Sequence, residues 1–279
     1  RNFNMSFTTA DVVKLRKVTG AGMMDCKGAL ADADGNFERA VEIIREKGKL
    51  VANKRADRDA AEGVALAKVS ADNKFGAIVV LNCETDFVAK NENFVAFAES
   101  ILNVALENKA DSLEALKALN LNGRVIETQV TEQTGVIGEK IELSYYSKID
   151  AETVIGYIHP GNKLATLVGF NKAGVDVNVA KDVAMQVAAM APVAVDKDSV
   201  SPEVVEKELA IAREKFRQEG KPEAMLDKIA QGALNKFFQE STLLNQIYVK
   251  DGKISIKEFL SQNDKGLTVT AFDRYTLNV

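Results

Sequence analysis

Two apolar segments with the same surroundings constrain the fold of this chain more than any other feature. They are offset by 89 residues, the first beginning at Lys74 and ending at Asn82, the second beginning at Lys163 and ending at Asn171. Each follows an alternating segment typical of a hairpin strand, and each precedes a loop and an apolar helix. This repetition predicts two related α/β units lying side by side, each with a small antiparallel sheet.

The segment before these units has the period of short helices. Thr9 is expected to cap the first, whose inward face carries Val12, Leu15 and Val18. Cys26, Ala29 and Leu30 are expected to face inward from the second helix. Asn36 is expected to cap the third helix and Gly48 to end it, before a lysine-rich linker helix.

Met23 and Met24 are adjacent, directly after a glycine turn. Adjacent helical residues cannot both face one small core, so at least one is expected to be exposed, where methionine suits an adaptable binding surface. The alternative is that both pack locally.

A further change of pattern begins near residue 201. Val205, Leu209, Ala212 and Phe216 follow heptad spacing, and a sharp turn at Gly220 separates them from a second apolar stripe. The second stripe is Met225, Leu226, Ile229, Ala233 and Phe237. Two such helices predict an antiparallel helical hairpin inserted in the second α/β unit, with its tip at residues 218–223 as a candidate contact surface. The alternative is that the hairpin lies along the body.

These patterns together predict an α+β protein. Residues 5–58 are expected to form a three-helix domain with a linker helix, and residues 59–150 the first α/β subdomain. Residues 151–198 and 241–279 are expected to form the second subdomain, with the hairpin at 199–240. Residues 1–4 precede Met5, which resembles a natural start, and are expected to be a cloning remnant.

An aspartate and a phenylalanine stand side by side where the first apolar strand ends. The segment from Asn82 to Ala89 joins that strand to an amphipathic helix, and connections of this kind often carry function. An exposed Asp86–Phe87 pair would contact another molecule. The alternative is that Phe87 packs into the core and Asp86 caps the next helix.

Composition excludes several classes of function. The chain has 279 residues, 46% of them hydrophobic and 27% charged, which indicates a packed globular protein. One histidine, no Cys-x-x-Cys, no phosphate loop and no nucleophile elbow leave no predicted catalytic residue, metal site or cofactor site. A net charge of −4 argues against direct nucleic-acid binding. Two cysteines and no membrane-spanning apolar run point to the cytoplasm.

Two motifs carry a resemblance to a known family. The first is Thr-Gly-Ala-Gly-Met-Met-Asp-Cys-Lys at residues 19–27, and the second is Cys-Glu-Thr-Asp-Phe-Val-Ala-Lys at residues 83–90. With the order of elements, they resemble elongation factor Ts, the bacterial exchange factor for elongation factor Tu, over nearly the whole chain. The resemblance implies a three-helix (UBA-like) domain before the two subdomains, and a factor that speeds GDP release from the GTPase without covalent chemistry.

The resemblance also implies which residues contact the partner. Those of the N-terminal domain are Met23, Met24 and Lys27. Those entering the GTPase near its magnesium site are Thr85, Asp86, Phe87 and Val88. In the second subdomain, Gln186 and Met190 are expected to contact the partner, and this region or the hairpin is expected to contact other parts of it or a second copy of the factor.

The chain departs from the family pattern at two places. Gln186 stands where some members have histidine, so a contact there would be uncharged, and some members carry a further C-terminal helix. Two other readings remain open. One is a carboxylate-dependent enzyme in the cleft between the α/β units, and the other is a binding module whose three-helix domain recognises a different protein.

Overall fold

The computed structural model describes residues 6–278, so the predicted remnant at residues 1–4 lies outside the described part of the chain. The N-terminal helices are α1 (Thr9–Thr19), α2 (Met23–Asp32) and α3 (Phe37–Arg55). The next elements are β1 (Glu62–Val69), β2 (Phe75–Cys83), α4 (Asp86–Ala89), α5 (Glu92–Asn108), α6 (Leu113–Ala118), β3 (Asn120–Leu121), β4 (Arg124–Val125), α7 (Ile126–Ile137) and β5 (Glu142–Asp150). The last are β6 (Thr153–Ile158), β7 (Leu164–Phe170), α8 (Val177–Met190), α9 (Pro202–Gln218), α10 (Leu226–Ser241), α11 (Ile256–Asn263) and β8 (Val269–Thr276).

Helix α1 starts one residue earlier than the sequence predicts. Thr8, rather than Thr9, is the N-cap, because its hydroxyl accepts the Asp11 amide at 3.2 Å while the Asp11 carboxylate accepts the Thr8 amide at 2.8 Å. This reciprocal capping box satisfies two amides that the first turn leaves free. Val18 was expected to face inward and is exposed instead, since it lies in the last turn of α1, beyond the small core.

Helix α3 corrects a second prediction. Gly48 does not end it; the helix continues to Arg55, and the predicted linker is its second half. Gly48 packs against Gly135 of α7 so closely that a Cβ on Gly135 would collide with the Gly48 backbone. The glycine therefore allows two helices to touch, and this crossing holds the N-terminal helices against the rest of the chain.

The two predicted α/β units have the same strand topology. Strands β1, β2 and β5 form one antiparallel sheet in that order, and β6, β7 and β8 form another. In each unit a hairpin supplies the first two strands, helices follow, and the third strand returns beside the second. The sequence repeat is thus visible as a repeated topology.

The sheets pack face to face, whereas the sequence suggested units side by side. All nine residues of β2 are buried, because one face packs on α5, α6 and α7 and the other packs on the second sheet. At Gly76 the sheets approach so closely that a Cβ would lie 2.7 Å from Val154 Cγ1. An apolar strand without alternation needs cover on both faces, and this arrangement supplies it.

Helices α9 and α10 form the predicted antiparallel hairpin. The seam on α10 includes Leu226, as predicted, but its other buried residues are Ala230 and Leu234. Met225 precedes the helix and is exposed. Over residues 6–278, no helix combines the length and the apolar character that crossing a bilayer requires.

Candidate functional site

The predicted Asp86–Phe87 loop is a single turn of helix at the end of β2. Thr85 caps this turn, α4, by accepting the Val88 amide on its hydroxyl oxygen at 3.4 Å. Val88 packs against the first core, which lies between the β1–β2–β5 sheet and helices α5, α6 and α7, and Ala89 is buried in it, so these two residues anchor the turn. The opposite side of α4 is left to face outward.

Phe87 occupies that outward side and is 83% exposed. Asp86 is half-exposed, and its carboxylate accepts a hydrogen bond from Lys90 Nζ at 2.6 Å, which holds the pKa of Asp86 below its usual value. The alternative, a core Phe87 with Asp86 as a cap, is wrong, because Asn91 caps the following helix. A phenylalanine this exposed on an anchored turn is available to contact another protein.

Two glutamates hold the base of this turn, and the sequence did not single out either in this role. Glu139 Oε2 accepts the backbone amides of Glu84 at 3.1 Å and Thr85 at 3.0 Å, and Glu139 Oε1 accepts the Thr85 hydroxyl at 2.7 Å. Glu84 in turn accepts the Lys140 amide at 2.6 Å and pairs with Arg55 at 2.8 Å. Glu84 lies within a recognised motif, but Glu139 is 54 residues away from Thr85 and has no periodic pattern to reveal it.

The turn forms one wall of a groove of about 630 Å³. The opposite wall includes Gly20, at the end of α1, and Val136 of α7. The remaining apolar lining is Val88, Phe94, Phe97 and Ile137. The groove therefore joins Phe87 to the glycine turn that precedes α2.

The predicted N-terminal contact residues lie at the start of α2. Met24 is 77% exposed, Met23 is partly exposed, and Lys27 is exposed one turn further along, while Cys26 packs inside. The alternative in which both methionines pack locally is therefore wrong. Gly22 caps α2 without a side chain, so the methionines directly follow a backbone turn.

Gln186 does not lie where a direct partner contact requires it. Its side chain is fully buried: Nε2 donates to the Ile247 carbonyl at 3.1 Å, and Oε1 accepts the Val249 amide at 3.0 Å. Met190, one turn later on α8, is exposed, as are Ile247 and Val249. Gln186 thus shapes an exposed apolar segment, and the prediction that its side chain meets the partner has no support here.

Exposed apolar side chains on the α4 turn, at the start of α2 and around Met190 are typical of a protein that binds another protein. Comparison with known proteins shows the family. The family model described as "Elongation factor TS" matches residues 84–279. Elongation factor Ts of Azobacteroides pseudotrichonymphae is 52% identical over 275 residues, covering 99% of this chain and all of the relative.

Two further relatives are equally similar. Elongation factor Ts of Porphyromonas gingivalis is 52% identical over 276 residues, covering 98% of this chain and 99% of the relative. Elongation factor Ts of Amoebophilus asiaticus is 52% identical over 272 residues, covering 97% of this chain and 98% of the relative. The chain belongs to the elongation factor Ts family, whose members act in translation elongation as exchange factors for elongation factor Tu.

Proposed function

We propose that this chain binds the GDP form of elongation factor Tu and promotes GDP release by inserting the α4 turn, Thr85–Val88, near the magnesium and phosphate site. The single observation that carries this proposal is Phe87, an aromatic side chain 83% exposed on a turn whose other side is anchored in the core. Free proteins keep such a side chain in water only at a cost, which contact with a partner removes.

The physical reasoning starts from the GTPase. Such proteins hold the diphosphate through backbone amides, a lysine and a bound Mg²⁺. Phe87 would wedge between packed elements beside this cradle, and Asp86 would compete for polar groups that order it. Displacement of Mg²⁺ leaves the diphosphate charge poorly neutralised, and GDP then dissociates. The step needs no covalent chemistry, and reloading with GTP completes the exchange.

Two other surfaces would hold the partner while the turn acts. Met23, Met24 and Lys27 on α2 would grip its GTPase domain. The exposed segment around Met190, including Ile247 and Val249, would contact another region, with Gln186 fixing that segment from inside. Contact at several separate patches keeps the pair together when the nucleotide leaves.

The proposal is tested by release of a fluorescent GDP analogue from elongation factor Tu. The wild-type chain is expected to accelerate release many-fold, and both Phe87→Ala and Asp86→Ala are expected to lose much of that acceleration. Val177→Ala removes another exposed apolar side chain, at the start of α8, and is expected to match the wild type. Equal activity of Phe87→Ala and wild type would show that α4 is not the inserted element.

A further inference from the structure

The end of β2 leaves two backbone amides without partners in the sheet. The pairing of β1 with β2 stops at Glu62 and Cys83, so the amides of Glu84 and Thr85 lie beyond it. Amides that are partly buried in this way need an acceptor. Glu139 Oε2 accepts both, at 3.1 and 3.0 Å, and Oε1 accepts the Thr85 hydroxyl at 2.7 Å. One carboxylate therefore fixes the residue that caps α4.

The arrangement is reciprocal, which makes it stiffer than a single contact. Glu139 binds the backbone of Glu84, while Glu84 Oε1 accepts the backbone amide of Lys140, the residue after Glu139, at 2.6 Å. Arg55, the last residue of α3, donates to both oxygens of Glu84 at 2.8 and 2.9 Å. Charge-assisted hydrogen bonds of this kind are shorter and stronger than neutral ones.

We propose that Glu139 is a positioning residue for nucleotide exchange, one that acts through Thr85 to hold Phe87 in the direction required for insertion. This inference rests on the proposed function. Without the Glu139 carboxylate the turn would sample several directions, only some of which place Phe87 correctly. The patches on α2 and near Met190 would still bind the partner. The maximal rate of GDP release is then reduced, and the half-saturating concentration changes little.

The expected loss for Glu139→Ala is about tenfold in the maximal release rate, because only a fraction of the molecules then present a competent turn. The half-saturating concentration is expected to stay within about threefold of wild type, since the other contacts remain. Glu139→Gln keeps an oxygen for the two amides and an NH₂ that can donate to the Thr85 oxygen, so it is expected to recover most of the rate. Glu107→Ala, an exposed glutamate near the far end of α5, is the matched control.

A second readout follows the turn itself. The chain contains no tryptophan, so Phe87→Trp introduces a single tryptophan on α4, which can be excited selectively over the five tyrosines. Time-resolved anisotropy of this tryptophan is expected to show faster local motion when Glu139→Ala is added, and no change when Glu107→Ala is added. Thermal unfolding by circular dichroism verifies that each variant is folded. Thr85→Val removes the hydroxyl that donates to Glu139 and also accepts the Val88 amide, so it is likewise expected to speed the local motion of the turn.

The outcomes separate this inference from the proposed function. A wild-type chain that leaves GDP release at its spontaneous rate would refute the function itself. A wild-type chain that accelerates release, with Glu139→Ala equally fast or with unchanged tryptophan motion, would refute only the positioning role. A Glu139→Gln variant as slow as Glu139→Ala would contradict the hydrogen-bond geometry on which the inference depends.

Discussion

Two phenylalanines seven residues apart give a sharp test of the candidate site. Phe87 is 83% exposed, whereas Phe94 is 3% exposed and packs in the first core. Replacing each with alanine removes the same atoms from opposite environments. Phe87→Ala is expected to impair exchange and leave stability intact. Phe94→Ala is expected to destabilise the fold instead.

The magnitudes follow from the exposed areas. A phenylalanine side chain presents about 200 Å², so Phe87 has about 160 Å² left to bury in a partner. At about 25 cal/mol per Å², full burial is worth up to about 4 kcal/mol, close to a thousandfold in release rate. The small area that Phe87 already buries corresponds to under about 1 kcal/mol of folding stability. Phe94→Ala is expected to cost about 3–5 kcal/mol of stability, as large truncations in cores do.

The assay pairs urea denaturation of each variant with GDP release from elongation factor Tu. Loss of more than about 2 kcal/mol of stability in Phe87→Ala would refute the reasoning, because a side chain in water cannot carry that much of the fold. Undiminished release by a stably folded Phe87→Ala chain would refute it from the functional side.

Three other predictions concern separate features. Met24→Ala is expected to raise the half-saturating concentration of the factor in GDP release several-fold without changing its melting temperature, since Met24 is 77% exposed. The Lys140 amide lowers the pKa of Glu84, so the folded state is stabilised when this carboxylate is ionised. In urea titrations, wild type is therefore expected to be more stable than Glu84→Gln. This difference is expected to be complete above the ordinary carboxyl pKa and to shrink as the pH falls below it. Gly135→Ala is expected to lower the free energy of unfolding by about 1–3 kcal/mol through overpacking. Gly232→Ala, in an open position on α10, is expected to raise it by about 0.5–1 kcal/mol. Equal urea midpoints for these two variants would contradict the close helix crossing.

The order and type of the longer elements could be predicted from periodicity, whereas α4 lies in a segment that the sequence predicts as a loop. The strands of both units, the capping of α3 by Asn36 and the helical hairpin follow local rules, and local rules act within a few residues. Periodicity leaves Phe87 either exposed or in the core, and the resemblance of the motif at residues 83–90 favours exposure. Periodicity alone favoured the core, because an aromatic beside an apolar strand packs inside more often than not.

The features that could not be predicted from the sequence depend on contacts between distant segments. Gly48 resembles a helix end, and only the facing Gly135 explains why the helix continues past it. Gln186 occupies a position expected to contact a partner, yet segment 246–249 covers it and uses its hydrogen bonds. Glu139 is one of 40 acidic residues, and nothing local separates it from the rest.

The most direct measurement of the central claim is the affinity of this chain for elongation factor Tu in two states, nucleotide-free and saturated with GDP and Mg²⁺. Coupling between the two ligands is reciprocal, so a factor that weakens GDP must itself be weakened by GDP to the same extent. Calorimetric titration is predicted to show that this chain binds nucleotide-free elongation factor Tu much more tightly than the GDP-saturated form. The ratio of the two affinities is predicted to equal the factor by which the chain lowers GDP affinity. Equal affinity for the two states would contradict the account, because a partner that binds both alike cannot shift nucleotide binding at all.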